Sequence, residues 1–125
     1  MKLYPIRAGV LLIKVLATST ALAAGDPTAG QRVFATRCAT CHATEAGQNK
    51  IGPSLAGIVG SKSGTVPGFN FSAAMKNADI TWGDAELDKF LANPAGDIHG
   101  TKMFVNHPSE TDRANVIAYL NTLKK

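Results

Sequence analysis

Apolar side chains in this chain fall into three stripes of helical spacing, set apart by stretches with neither helical nor alternating periodicity. The first opens at Asp26-Pro27, where a carboxylate can cap free backbone donors and proline fits the first helical position because its missing N–H has no partner there. Ala29, Val33 and Phe34 then share a face, and Gly30, four residues before Phe34, lets a second backbone approach beside the ring. The second stripe is Leu87, Phe90 and Leu91, with Asp84 and Glu86 favouring its positive end and Asn93-Pro94 stopping it. The third opens at Pro108-Ser109, with Asp112 in its capping pattern. Val116, Leu120 and Leu123 form its stripe, Ile117 and Tyr119 lie beside it, and Lys124-Lys125 complement its negative end. A short turn of helix is predicted from Ser72, and there is no hairpin signal and no internal repeat.

Residues 1–23 follow a different pattern and read as a secretory signal. Lys2 and Arg7 precede the apolar stretch Ala8 to Ile13, Val15 to Ala17 continues it, and Ala21-Leu22-Ala23 is a small-x-small cleavage pattern. The predicted domain is therefore 24–125, exported to a bacterial periplasm. Lys14 interrupts the apolar run, which leaves retention as an N-terminal anchor as the alternative, although the run is short for a bilayer span.

Charge changes meaning once the leader is set aside. The whole chain of 125 residues has 13 basic against 9 acidic side chains. Lys2, Arg7 and Lys14 leave with the leader, so the mature domain carries 10 basic groups against the same 9 acidic ones. Such a balance gives no reason to expect a nucleic-acid partner. One small domain is all the length allows, and 2 cysteines exclude a disulfide scaffold.

The segment from Ala43 to Phe71 is too rich in Gly, Pro and Ser for a long regular element. So long an irregular stretch in a small domain needs something to order it, and a bound cofactor can serve as the missing interior. Cys38-Ala39-Thr40-Cys41-His42 supplies the means: C-x-x-C-H is the attachment signature of c-type haem. On a helical turn the two sulfurs fall on one side, placed to bond one edge of a macrocycle, while the following imidazole points at its iron. A zinc site lacks a second cysteine pair, and a thioredoxin-like thiol pair lacks the preceding strand.

If the iron is to carry electrons without chemistry on small molecules it needs a sixth ligand, for which the candidates are Met75, Met103, His99 and His107. Met103 lies in the Gly-led loop Gly100-Thr101-Lys102-Met103-Phe104 between two predicted helices, far enough beyond His42 to reach the opposite haem face. Met75, on the short Ala-rich helix, reads as core packing, and His99 and His107 read as exposed loop residues.

With these residues in view, the chain resembles a class I c-type cytochrome over essentially the whole mature domain. The resemblance is carried by Phe34 through His42, Gly52-Pro53-Ser54-Leu55, Pro67-Gly68-Phe69, Ile80-Thr81-Trp82, Leu91-Ala92-Asn93-Pro94, Gly100-Thr101-Lys102-Met103 and Ile117-Ala118-Tyr119-Leu120. It implies a small all-α cytochrome c fold, with helices and loops wrapped around one covalently attached haem and the N- and C-terminal helices crossing. It implies thioethers at Cys38 and Cys41 and axial ligands at His42 and Met103. It further implies a Pro53 carbonyl accepting the His42 ring N–H, Trp82 donating to a propionate, and Leu55, Phe90 and Phe104 walling the crevice. Gly30 and Phe34 are expected against Tyr119 and Val116.

The chain departs from the family pattern at Ser61, where many relatives place Arg, and at Phe71 and Phe90, where many place Tyr. Losing a cation and a hydroxyl near the propionates changes how their charge is offset and moves the potential. Arg37, Lys50, Lys62 and Lys102 are expected to ring the exposed edge, but Ala95, Gly96 and Ser109 stand where relatives often carry Lys, so long-range steering is weak. The implied function is a soluble, monomeric one-electron carrier, not an enzyme, shuttling between donor and acceptor redox proteins and meeting membranes only through membrane-bound partners. The alternative class is a haem protein with an open or labile sixth position, acting as a peroxidase or gas sensor.

Overall fold

The computed structural model describes residues 24–124 and, ahead of them, only Lys2, Pro5, Gly9 and 13–15. The cleavage pattern at Ala21-Leu22-Ala23 and most of the leader lie outside the described residues.

Five helices and no strand occur among the described residues: α1 (Pro27–Arg37), α2 (Ala73–Asn77), α3 (Asp84–Ala92), α4 (Pro94–Asp97) and α5 (Glu110–Leu120). Asp26 caps α1 by accepting the Thr28 N–H at 2.9 Å. Ser72 and Ser109 accept the Met75 and Asp112 N–H groups, each at 3.1 Å, to start α2 and α5. These are the starts that the sequence predicts.

Two boundaries differ from the sequence reading. Asn93-Pro94 does end α3, but the same pair begins α4: the Asn93 side chain accepts the Gly96 N–H at 3.1 Å, and buried Pro94 takes the first helical position, where no N–H is wanted. At the other end, α5 stops at Leu120 rather than running through Leu123. Asn121 closes it, its amide donating to the Ile117 carbonyl and, at 2.9 Å, to Asp84 at the start of α3. Leu123 still packs on the core, from a turn, and its carbonyl receives the Gly57 N–H at 3.2 Å.

The pairing of α1 with α5 is the most extensive between helices. A methyl group at Gly30 would overlap the Asn115 carbonyl, and the Phe34 ring meets Tyr119 edge-on with centroids 5.7 Å apart. Asp26 N–H adds a bond to the Asn115 side chain at 2.9 Å. The close approach that Gly30 permits is thus used.

The long irregular segment is ordered by side-chain-to-backbone bonds. Ser54, 2% exposed, donates its hydroxyl to the Glu45 carbonyl at 2.6 Å, and Asn49 accepts the Ser54 N–H while donating to Pro67 O. Ser63 N–H donates to Ile80 O at 2.8 Å and its hydroxyl accepts Ile80 N–H, holding an isolated antiparallel bridge between Lys62 and Thr81. Buried polar groups in a loop must find such partners, which is why this segment folds without regular structure.

The core comprises Phe34, Ile58, Trp82, Leu87, Phe90, Leu91, Ile98, Val116, Ile117 and Leu120. All but Ile98 and Ile117 also face one internal cavity. The core is therefore a shell around that cavity.

Candidate haem site

A single apolar cavity of about 330 Å³ lies between the α1 turn, the irregular segment, α3 and the loop before α5. Its wall carries Cys38, Cys41 and His42 together with Met103. After α1, Cys41 and His42 N–H groups both return to the Cys38 carbonyl, at 3.0 and 2.9 Å, making one more helical turn. That turn puts the two sulfurs and the imidazole on the cavity side, as i, i+3 and i+4 spacing requires.

His42 is the most constrained group in the site. Its Nδ1–H donates to the Pro53 carbonyl at 2.8 Å, which fixes the tautomer and leaves Nε2 as the free lone pair. Gly52 packs so closely under the ring that a methyl group there would overlap it. Burial pushes the His42 pKa below the usual histidine value, partly opposed by the bond to Pro53, so the imidazole is held neutral as a metal ligand must be.

The Cys38 thiol is pushed up to about 11 by burial, with the neighbouring Cys41 adding to the effect and Arg37 opposing it. A thiol so protonated is a poor nucleophile for disulfide exchange. Among the described residues no cluster of His, Cys, Asp and Glu forms a metal site, so zinc finds no ligand set.

The four candidates for a sixth ligand divide into two methionines on the cavity wall and two histidines off it. Met103 and Met75 line the cavity, both half-buried and packed on the core. His99 is exposed and does not line it. His107, expected on the surface, is buried at 8% exposure, beside a second cavity of about 50 Å³ between α1 and α5. The correction has a physical cause: His107 N–H donates to Leu91 O at 2.8 Å, drawing the residue into the gap, and Arg113 donates to its carbonyl at 2.9 Å.

The other expected contacts lie on the cavity wall. Trp82 and Phe90, 5% and 7% exposed, meet at a tilt of 58° with centroids 5.3 Å apart, and Leu55 and Pro53 line the same space. Phe104 lines it too, but is 76% exposed and sits at the mouth rather than inside. Phe71 faces the cavity edge-on to Phe69 at 4.8 Å, and the Ser61 hydroxyl donates to Ile58 O at 2.7 Å, turned to its own turn.

The basic rim is largely engaged. Lys50 donates to Ala39 O at 2.8 Å, Lys102 to Asn70 O at 2.7 Å, and Lys62 pairs with Asp79 at 2.9 Å. Thr101, which the sequence reading left without a role, is 4% exposed and accepts the Met103 N–H at 3.3 Å. A hydroxyl two residues before the residue it holds is a readable turn signal. Asn49 has no such signal, because its partners, Ser54 and Pro67, lie beyond the reach of a single turn.

A helical shell whose interior is apolar, with two thiols, a tautomerically fixed imidazole and a thioether on its wall, defines a protein built around a covalently held haem. The Cytochrome c sequence profile matches residues 27–124. Cytochrome c of Euglena viridis is 46% identical over 101 residues, covering 80% of this chain and 99% of that protein. Cytochrome c2 of Rhodomicrobium vannielii is 48% identical over 107 residues, covering 84% and 85%. The solved structure of cytochrome cH from Methylobacterium extorquens superposes with a TM-score of 0.72 at 40% identity, over 78% of this chain and 99% of that one. The chain belongs to the cytochrome c family, whose members are haem-based electron carriers with one covalent haem c. The spacing of Cys38, Cys41 and His42 is that of the family's attachment segment.

Proposed function

We propose that residues 24–125 form a periplasmic, monomeric one-electron carrier released from the 1–23 leader, with Cys38 and Cys41 as thioethers and His42 and Met103 as axial ligands. The observation that carries this reading is the single apolar cavity shared by all four side chains, with His42 Nδ1 committed to Pro53. Bound there, haem supplies a one-electron couple. Everything else is the work of the chain.

His42 and Met103 approach from separate segments, and the Pro53 bond holds the imidazole orientation. A neutral thioether favours the reduced state and raises the potential relative to a second imidazole. Pro53, Leu55, Trp82 and Phe90 wall the interior against water, Trp82 would donate its indole N–H to a propionate of the bound haem, and Phe104 at the mouth would cover the side from which a partner approaches. No general acid, base or nucleophile is used. Partners are a donor and an acceptor protein, and because residues 24–125 carry 10 basic against 9 acidic side chains, their recognition relies little on long-range charge. No helix among the described residues is long and apolar enough to cross a membrane.

The test is intact mass with a haem stain on a denaturing gel, for the exported protein and for Cys38→Ala with Cys41→Ala. The parent is expected to retain one haem through denaturation and the double variant none. A parent mass equal to the bare polypeptide would overturn the attachment.

A further inference from the structure

The segment that carries Met103 is held in an unusual way. From Thr101 to His107 only the two ends are buried, at 4% and 8% exposure; Lys102, Phe104, Val105 and Asn106 are exposed and Met103 alone is half-buried between them. The anchors are made at those ends: Thr101 N–H donates to Ile98 O at 3.1 Å, and His107 N–H to Leu91 O at 2.8 Å. No backbone-to-backbone hydrogen bond is donated by residues 102–106. The main chain of the segment is a span hung from its two ends, and the residue at one end carries a titratable ring.

We propose that His107 is a positioning residue for the sixth ligand: its neutral side chain, seated between α1 and α5, holds the span closed and Met103 toward the iron, and its protonation releases the span. This inference rests on Met103 being the ligand. Around His107 the apolar wall is Val33, Leu91 and Val116. The charged groups facing the same small cavity are Arg37 from the end of α1 and Asp112 and Arg113 from α5, with Cys38, uncharged as a thioether, completing that side. The α3 contribution is Leu91 alone, with Asp88 acting at one remove by binding Arg113 at 2.7 Å.

A proton on His107 would place a third cation in this gap beside two guanidinium groups and one facing carboxylate. Arg113 cannot turn away, because it is held by Asp88 and by the carbonyls of His107 and Pro108. Burial, then the Arg37 charge, hold the imidazole below the usual histidine value, with Asp112 pulling the other way and Arg113 and His42 adding to the depression. The released side chain takes its main-chain anchor with it, and the exposed residues between are then held only from the Thr101 side, by the Met103 N–H to Thr101 and by Lys102 donating to Asn70 O at 2.7 Å.

The experiment uses the haem-loaded, exported protein and follows the long-wavelength charge-transfer band of methionine sulfur on ferric haem as the pH is lowered from about 8 to about 4. Parent, His107→Leu, His107→Gln and the exposed control His99→Gln are compared. The parent and the control are expected to lose the band in a one-proton step below the ordinary histidine pKa, with carbon monoxide binding to the ferrous protein rising over the same range. His107→Leu and His107→Gln are expected to lack that step. If leucine prevents folding, the His107 ring resonances of the parent decide instead, and they must titrate with the band. A parent band lost at the same pH in the variants, or His107 titrating apart from it, overturns this inference alone. A parent with no band at neutral pH overturns the Met103 assignment and this inference with it.

Discussion

The two sides of the cavity are built to different standards. On the imidazole side, His42 is fixed by the turn from Cys38, by the Pro53 carbonyl and by Gly52 beneath its ring, and the Pro53-Ser54 segment is tied in turn to Glu45, Asn49 and, through Asn49, Pro67. On the thioether side, Met103 rides on an exposed span with its own N–H held only by Thr101 and the span's far end held by His107. One ligand is over-determined and the other is hung from two points. The contrast teaches where such a site yields first: local opening draws on the segment with fewest buried contacts, so the methionine side sets the limits of a closed site.

The contrast can be broken from either side, and the largest effect is expected at the ligand itself. Met103→Ala should leave a folded haem protein that has lost the sulfur charge-transfer band and binds carbon monoxide readily when reduced, with stability lower by about 2 kcal/mol, the low end for Met→Ala because the side chain is only half-buried. Ligand affinity equal to the parent's would remove Met103 from the iron.

Gly52→Ala attacks the other side. The added methyl overlaps the His42 ring, so the ring must tilt and weaken its bond to Pro53, at a cost of about 1–3 kcal/mol typical of overpacking. Chemical denaturation measures the loss, and an unchanged midpoint would show that the imidazole side is looser than described. The covalent haem should survive, because neither thioether is touched.

Acid should act through His107. A histidine whose folded value lies below its unfolded value of 6.5 binds its proton more readily once unfolded. Its contribution is therefore fully present above that pH and is lost as the pH falls toward the lower folded value. Thermal midpoints of the holoprotein should decline over that window, and less so in His107→Gln; parallel curves would contradict the assignment.

The smallest effect sharpens the comparison. Asn49→Ala removes two hydrogen bonds that brace the Pro53-Ser54 segment from outside, worth about 1 kcal/mol in total for partly exposed neutral bonds. Because Pro53 and Gly52 remain, the charge-transfer band should be untouched, and a lost band would mean that the two sides are more tightly coupled than their separate anchors imply.

Much of this was legible in the sequence where the signal is local. Asp26-Pro27, Ser72, Asp84 with Glu86, and Ser109 with Asp112 announce helix starts through chemistry within one turn, and the structure uses each. Cys38, Cys41 and His42 announce the cofactor for the same reason, and Gly30 its close approach. What could not be read depends on partners far along the chain. His107 looks like a loop residue until the Leu91 carbonyl and Arg113 are brought to it, and Asn49 looks like solvent-facing turn until Ser54 and Pro67 close on it. The Asn93-Pro94 pair reads as a stop, and it does end α3; that it also begins α4 is not legible, because a proline that ends one helix and a proline that begins the next are the same residue in sequence, and only the Gly96 N–H bonded to Asn93 tells them apart. The end of α5 is not legible because Leu123 keeps the helical stripe in sequence while packing from a turn.

The most direct test of a closed His42 and Met103 site is the absorption spectrum of the oxidised, exported holoprotein at neutral pH. The account predicts the weak long-wavelength charge-transfer band of methionine sulfur bound to ferric haem. A covalently attached haem with no such band would contradict it, and would turn the protein toward an open iron and the binding of peroxide or gases.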